Sequence, residues 1–323
     1  MLTVALAGTF ASSLAAPLRA ELATPGELIV ADEATVVDKL ADVDVLVTMA
    51  FTRAMGMAAR RLKLVQVPGA GLERIDRAAL PPGVALANAY GHEIGIAEFA
   101  LGAMLALTRE FVPLDAALRR GVWRSQWAVG TPPPAPWPEL AGATLGILGY
   151  GRIGQALARR ARAFDMTICA IRRDVARSRQ DGLALLGGLE ILDDVLRRAD
   201  YLVITMPSTP ATRGLIGDAQ LALMKRTAVL VNVARADIVD EGALYRALSA
   251  RALAGAALDV WSRYPSDPAP TPPAGMPFQE LSNVLMTPHV SGWTTGMLRA
   301  RVRLIADNIR RTARGEPPEN LIS

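Results

Sequence analysis

Arg235 and His289 each stand just past an apolar run that reads as a strand, Ala228–Val233 for the arginine and Asn283–Met286 for the histidine. A guanidinium in such a place can polarise a carbonyl and pair bidentately with a carboxylate, and an imidazole can move a proton near neutral pH. The two together suit reduction of a ketone that carries a carboxylate. Each also has an ordinary reading: Arg235 as a surface or helix-end charge, His289 as a hydrogen-bonded turn residue after Pro288. Metal chemistry is not expected. The single cysteine, Cys169, lies inside an apolar run, and His92 is the other of only two histidines, so neither a disulfide framework nor a Cys- or His-rich metal centre can be built.

The elements that must position such a pair gather around Ala143–Asp174. The apolar run Thr144–Leu148 leads into Gly149-Tyr-Gly151-Arg-Ile-Gly154 and then a helical pattern with Ile153, Leu157 and Ala161 on one face. Strand, glycine turn and helix in that order suit a nucleotide pyrophosphate. Gly149 permits the tight turn, Gly151 lets the backbone approach the phosphates, and Gly154 lets the helix pack close on the strand. The N–H groups and dipole of the helix start then face the anion. A second strand, Met166–Ile171, follows at βαβ spacing and ends in Arg172 and Arg173. An NAD site places a carboxylate there for the ribose 2′-hydroxyl, whereas guanidiniums suit a 2′-phosphate. NADP is therefore favoured over NAD, with solvated arginines and Asp174 on the ribose as the alternative.

Short apolar runs also recur at Leu2–Ala7, Leu28–Ala31, Val43–Met49, Leu62–Val67 and Val84–Ala87. Separated by stretches such as Thr35–Leu40 and Ala54–Arg61, they predict a small parallel-sheet domain. The loop Val67–Asp76 lies at a strand end, where Gly69 and Gly71 either offer N–H groups to a carboxylate or serve a turn that needs positive φ. One long helix is expected from about Ile94 to Arg119, too apolar to be solvated all round. The irregular stretch Gly121–Glu139, with Trp123, Trp127 and Trp137, has the length of a functional loop or an interface arm. Further strands are expected at Tyr201–Met206 and Gly255–Val260. A helix over Thr294–Arg314, with Leu298, Val302, Ile305 and Ile309 on one face, is expected to return to the first domain.

A length of 323 residues suggests two domains, and 51% hydrophobic with 20% charged residues describes a globular chain rather than a disordered one. The net charge of +4 does not point to nucleic acid, because the arginines are scattered and no basic run is interleaved with aromatics. Met1–Ala16 is apolar and rich in alanine like a signal peptide, but it starts without a basic residue, and Leu2–Ala7 followed by Gly8 reads equally well as a first strand. No apolar run has membrane-spanning length, and a cytoplasmic location is the expectation.

Four motifs in order resemble the D-isomer-specific 2-hydroxyacid dehydrogenases: Gly149-x-Gly151-x-x-Gly154, Val231-Asn-Val-Ala-Arg235-Ala-Asp-Ile-Val-Asp240, Gly255-Ala-Ala-Leu-Asp259-Val260 and Thr287-Pro-His289. The resemblance extends to the Pro68–Asp76 loop and to Ile96-Ala-Glu98. It implies an α/β protein of two Rossmann- or flavodoxin-like domains with parallel sheets and an active-site cleft between them. Residues 1–98 with 291–323 would form the substrate domain and 99–290 the dinucleotide domain. A homodimer through the cofactor domain and the 121–139 arm would follow.

In that family the arginine matching Arg235 binds the substrate carboxylate and carbonyl, and the histidine matching His289 is the acid/base. Backbone groups of Gly69, Ala70 and Gly71 would hold the substrate carboxylate, with His92 and Trp293 on the substrate side. Asp259 would hold the nicotinamide carboxamide. Arg152, Ile153, Pro207, Thr212, Val233, His289, Ser291 and Gly292 would join the three glycines, Arg172 and Arg173 around the cofactor. A small 2-keto acid of the glyoxylate or hydroxypyruvate type is the expected substrate.

One position departs from the pattern. The family usually has a glutamate before the proline of its DVFxxEP segment, paired with the histidine, and this chain has Tyr264 before Pro265. A phenol of reference pKa about 10 is neutral at pH 7 and cannot stabilise an imidazolium by charge. His289 should then be less protonated at neutral pH, unless another group compensates, with His92 and Glu93 as candidates. Two other readings follow: formate oxidation, which needs no proton abstraction from the substrate, and a dinucleotide-sensing binding protein that has lost catalysis.

Overall fold

The computed structural model describes residues 2–22, 26–175 and 182–322. The chain forms two compact units, one of residues 1–92 and 293–323, the other of residues 93–292.

The first unit begins with β1 (Val4–Ala7), α1 (Thr9–Ser13), α2 (Ala15–Leu22), β2 (Leu28–Ala31), β3 (Val45–Thr48), α3 (Arg53–Ala58), β4 (Leu64–Gln66) and β5 (Ala85–Ala87). The five strands form one parallel sheet in the order β2-β1-β3-β4-β5. β1 and β3 are buried along their whole length, which explains why they are continuous apolar runs rather than alternating ones. Thr52 starts α3 by accepting the Met55 N–H at 3.3 Å.

The second unit opens with α4 (Glu93–Thr108) and α5 (Phe111–Leu118). The single helix expected over Ile94–Arg119 is thus two. Pro113 has no N–H for the turn before it, and Glu110 takes a left-handed conformation, φ 51°, between the two helices. Residues 121–139 contain no helix or strand, and Trp123 and Trp127 are exposed there.

The sheet of this unit follows: β6 (Thr144–Leu148), α6 (Arg152–Arg162), β7 (Thr167–Ile171), β8 (Leu185–Gly187), α7 (Leu192–Arg198), β9 (Tyr201–Ile204), α8 (Asp218–Leu223), β10 (Val229–Asn232), α9 (Glu241–Ser249), β11 (Gly255–Leu258) and β12 (Val284–Met286). Its seven parallel strands run β12-β11-β10-β9-β6-β7-β8. The order reverses between β6 and β9, which is where an open α/β sheet leaves a crevice for a ligand. Asp240 starts α9 by accepting the Ala243 N–H at 2.7 Å.

The final helix, α10 (Thr295–Ala313), belongs to the first unit. Thr294 caps it by accepting the Met297 N–H at 3.1 Å. Val302, Ile305 and Ile309 join Val4, Leu6, Val45 and Leu64 in one core cluster, with Leu298 packed against it; each such side chain contributes about 1.5–3 kcal/mol by leaving water. Asn308, fully buried, donates to Gln66 Oε1 at 2.7 Å and accepts from the Glu319 N–H at 2.7 Å. A buried amide satisfied on both sides sets the register of the helix on β4.

The unit boundaries differ from those expected at 98/99 and 290/291. Ile96 and Ala97 of α4 are buried in the core of the second unit, so the helix belongs there from its start. Val290 and Ser291 donate their N–H groups to Asp259, which keeps them with the second unit as well.

Candidate active site

The glycine turn between β6 and α6 shows what each glycine does. Gly149 has φ +111°, and a Cβ on it would meet the backbone N of Met206 at 2.5 Å. A Cβ on Gly154 would meet the carbonyl oxygen of Gly149 at 2.5 Å, so the first turn of α6 lies hard against the strand end. Gly151 differs: no heavy atom lies within 4 Å of its Cβ direction. The turn is braced by Thr205, whose hydroxyl donates to the Gly149 carbonyl at 2.7 Å. No side chain caps the eleven-residue α6 at Gly151. Open space beside uncapped N–H groups fits a pyrophosphate.

The end of β7 is tied to that turn. The Ile171 carbonyl accepts from the N–H groups of Gly149 and Tyr150 at 3.1 and 2.7 Å, so Arg172 and Arg173 follow directly beside the glycines. Arg172 is half-buried and Arg173 exposed. Across the sheet, Pro207 and Thr212 form one closed turn after β9, in which the Thr212 hydroxyl donates to the Pro207 carbonyl at 2.8 Å.

Arg235 leaves the sheet on a turn that Asn232 shapes. The Asn232 side chain donates to the Arg235 carbonyl at 2.9 Å and accepts the Ala234 N–H at 3.1 Å. The Arg235 guanidinium donates to the Ala234 carbonyl at 2.8 Å.

The loop that carries His289 hangs from Asp259, a fully buried carboxylate at the end of β11. Its Oδ1 accepts from the Thr287 hydroxyl at 2.7 Å and the Val290 N–H at 2.9 Å, and its Oδ2 from the Ser291 N–H at 2.9 Å. Trp261 adds a fourth tie, its indole N–H donating to the Thr287 carbonyl at 2.8 Å. Within this frame His289 sits at φ +58°, a left-handed conformation that costs a non-glycine residue of order 1 kcal/mol or more and persists only where the surroundings impose it. The role of Trp261 and the anchoring role of Asp259 are invisible in the sequence, because both act across a long loop. Asn232 was also missed, although its bonds two and three residues on form the local turn that asparagine favours.

Tyr264 reaches His289. Its hydroxyl lies 2.8 Å from Nδ1, the ring centroids are 5.7 Å apart, and the Trp261 backbone N–H donates to the same hydroxyl at 3.4 Å. Desolvation pushes the His289 pKa down; the Asp259 carboxylate opposes the fall and the Arg235 charge adds to it. Tyr264 is pushed up, first by desolvation. His289 is thus mostly neutral at pH 7, and the carboxylate whose charge reaches it is Asp259.

In the first unit, His92 Nδ1 lies 3.2 Å from the Arg301 guanidinium. Arg301 stands over the Phe10 ring at 5.4 Å, and Phe10 packs edge-on against Trp293. Glu93 forms an ion pair with Arg152 at 3.9 Å in the second unit. Neither Gly69 nor Gly71 has a positive φ, so the turn does not need glycine for handedness. The N–H groups of Gly69, Ala70 and Gly71 donate to nothing among the described residues, while the Ala70 carbonyl accepts from Asn88 at 3.0 Å.

No helix among the described residues is long and apolar enough to cross a membrane. The family model of the D-isomer specific 2-hydroxyacid dehydrogenase NAD binding domain matches residues 101–291. D-3-phosphoglycerate dehydrogenase of Methanocaldococcus jannaschii is 37% identical over 313 residues, which is 92% of this chain and 56% of that protein. Glyoxylate reductase of Thermococcus kodakarensis is 35% identical over 290 residues, 88% of this chain and 84% of that protein. The chain therefore spans roughly half the length of the phosphoglycerate dehydrogenase and most of the glyoxylate reductase. A solved D-isomer specific 2-hydroxyacid dehydrogenase from Xanthobacter autotrophicus Py2, in complex with NADPH and MES, is 26% identical with a TM-score of 0.79, covering 100% of this chain and 98% of that one. With the glycine turn, the two parallel sheets and a match across most of its length, this chain belongs to the D-isomer specific 2-hydroxyacid dehydrogenase family and carries its NAD-binding domain.

Proposed function

We propose that the chain is an NAD(P)-dependent oxidoreductase, with NADP favoured, that reduces a small 2-keto acid of the glyoxylate or hydroxypyruvate type to the D-2-hydroxy acid. The observation that carries this reading is the grouping of Arg235, Tyr264 and His289 around one another's charges, in the unit whose glycine turn fits a dinucleotide. When bound, the reduced nicotinamide supplies the electron pair and hydrogen that the carbonyl carbon receives. The chain's own residues do the rest. Arg235 pairs with the substrate carboxylate and draws electron density toward the carbonyl oxygen. His289 supplies a proton at that oxygen.

The remaining assignments belong to the same proposal. The unspent N–H groups of Gly69, Ala70 and Gly71 support a contact with the substrate carboxylate, and His92 and Trp293 a contact with its side chain. Asp259 Oδ2 accepts one hydrogen bond within the chain, which leaves a lone pair for a carboxamide. Gly149, Gly151, Arg152, Ile153 and Gly154 would hold the pyrophosphate, and Pro207, Thr212, Val233, Ser291 and Gly292 would line the rest of the cofactor. Arg172 and Arg173, set beside the glycine turn, support a 2′-phosphate. A homodimer through the cofactor unit is supported by the exposed Trp123, Trp127 and Val129 of the 121–139 arm; the mass of the protein in solution tests it.

The test of the reaction is reduction of glyoxylate, hydroxypyruvate and other short 2-keto acids, measured with NADPH and NADH side by side, with formate and the oxidised cofactors as a control. Turnover that favours NADPH is the expected outcome. Turnover of formate alone, or tight cofactor binding with no turnover, overturns it.

A further inference from the structure

The reading above leaves a difficulty at the proton. A neutral imidazole whose pKa is pushed down is a poor acid by itself, and the partner it has is a phenol rather than a carboxylate. The geometry of that partner resolves the difficulty. Tyr264 Oη lies 2.8 Å from His289 Nδ1, and the Trp261 N–H points at the same oxygen from 3.4 Å. A phenol has one proton to donate. The Trp261 backbone N–H takes one lone pair of that oxygen, and Nδ1 is an acceptor within reach of the O–H. With the O–H directed at it, Nδ1 would carry no proton, and the proton of the neutral ring would be on Nε2.

We propose that Tyr264 is a positioning residue that holds His289 in the Nε2–H form and replenishes its proton through Nδ1, so that the reaction proceeds on a neutral imidazole. The proposal rests on the 2-keto acid reading. As the carbonyl carbon receives its electron pair and hydrogen from the reduced nicotinamide, the oxygen takes one proton. The Nε2–H bond breaks as the alcohol O–H forms, and an Nδ1–H bond forms as the Tyr264 O–H breaks. The imidazole ends neutral with its proton moved from one nitrogen to the other, and the charge ends on the phenolate. The cycle closes after the product leaves, when water protonates Nε2 and the Nδ1 proton passes back to the Tyr264 phenolate across the same 2.8 Å contact.

The surrounding charges suit this path. The charged groups that bear on the pair are Arg235, on the turn after β10, and Asp259, at the end of β11. Arg235 disfavours an imidazolium and favours a phenolate, and it would do both during transfer. Asp259 acts in the opposite sense on each, but its oxygens are engaged by Thr287, Val290 and Ser291. Burial pushes Tyr264 above the ordinary phenol value of about 10, and a phenol so shifted is still a stronger acid than the alcohol that forms.

The experiment has two arms. In the first, 15N-labelled protein without cofactor is examined by NMR at pH 7; the two histidines are told apart with His92→Gln. A His289 signal with bare Nδ1 and protonated Nε2 is expected, and an Nδ1–H form overturns the proposal. In the second, kcat for 2-keto acid reduction is followed from pH 5.5 to 9. The wild type should stay flat across that range. Tyr264→Phe should lose about tenfold per pH unit above the histidine pKa, because only the imidazolium then serves, and Tyr264→Glu should move that falling limb to higher pH. An unchanged flat profile in Tyr264→Phe overturns the relay. Failure of the reaction itself looks different: bare Nδ1 in the wild type with no 2-keto acid turnover at any pH, which overturns the relay together with the reading it rests on. The first arm needs no substituted Tyr264, so it stands even if that variant folds poorly.

Discussion

The two units carry the same device at one end of their sheets and opposite devices at the other. At the amino end of the central strands, Asp44 of the first unit accepts the Thr3 N–H at 3.0 Å and pairs with Lys63 at 3.1 Å. Asp200 of the second accepts the Thr144 N–H at 2.9 Å and pairs with Lys225 at 2.8 Å. Each aspartate precedes the middle strand of its sheet, β3 or β9, and each also returns its own N–H to the carbonyl of that threonine. At the carboxyl end the likeness stops. Gly8 follows β1 at φ +88°, but a Cβ on it would meet the Glu33 carboxylate at 2.9 Å. Asp32, Glu33 and Arg74 line a cavity of about 430 Å³ there. The second unit has open space at Gly151, an eleven-residue helix start and two arginines. One architecture therefore offers a negative rim and a positive one, and only the second suits a dinucleotide.

The largest test of that contrast is Gly149→Ala, which should cost about 4 kcal/mol because strain at positive φ is joined by a Cβ clash with backbone that cannot move aside, whereas Gly8→Ala should cost about 2 kcal/mol, the strain of its own positive φ with only the end of a side chain in the way. Urea unfolding of both variants measures the difference, and equal costs would show that the two turns are built alike. Next, Gly151→Asp copies the acidic rim of the first unit onto the second. Dinucleotide affinity should fall about a hundredfold, roughly 2.7 kcal/mol, while stability stays within about 0.5 kcal/mol because the site is open. Isothermal titration beside unfolding separates the two effects.

At the shared end, Asp44→Ala should cost about 2 kcal/mol and Asp200→Ala about 1 kcal/mol, because Asp44 is fully buried and a charged acceptor removed from a buried donor costs more. Burial alone would raise the Asp44 pKa, but the Thr3 N–H, Lys63 and Arg61 outweigh it and the pKa lies below its usual value. A lowered folded pKa gives stability that is fully present above the unfolded value of about 3.9 and is lost as pH falls through the folded value. Wild type and Asp44→Ala should thus differ most at neutral pH and converge in acid, which unfolding midpoints between pH 7 and 2.5 would reveal. The smallest effect concerns the arginines: because Arg172 remains, Arg173→Ala should lower the preference for NADPH over NADH by about threefold, roughly 0.7 kcal/mol. An unchanged ratio would leave the arginines as surface charge.

Much of this was legible in the residues. The central strands are apolar runs because both faces are covered, and periodicity marks α10 from Leu298 to Ile309. What escaped was short or interrupted. β8 has only three residues, Leu185–Gly187, too few to show either an alternation or a sustained apolar run. The break between α4 and α5 turns on a proline three residues into the second helix, easily passed over within an apolar stretch. Tyr264 was visible as a departure from a motif, but its bond to Nδ1 was not, because the two stand 25 positions apart, on either side of a proline-rich loop and β12.

The order of glycines, apolar runs and motif residues along the chain determined the fold class and the place of the glycine turn, and singled out Arg235 and His289 as the candidate reactive pair. These are local matters of spacing and side-chain type. The tertiary structure alone decided that Asp259 suspends the histidine loop, that Trp261 and Tyr264 complete it, and that one sheet rim is acidic and the other basic. Strand order and loop contacts join residues tens of positions apart, and no local pattern records which of them will meet.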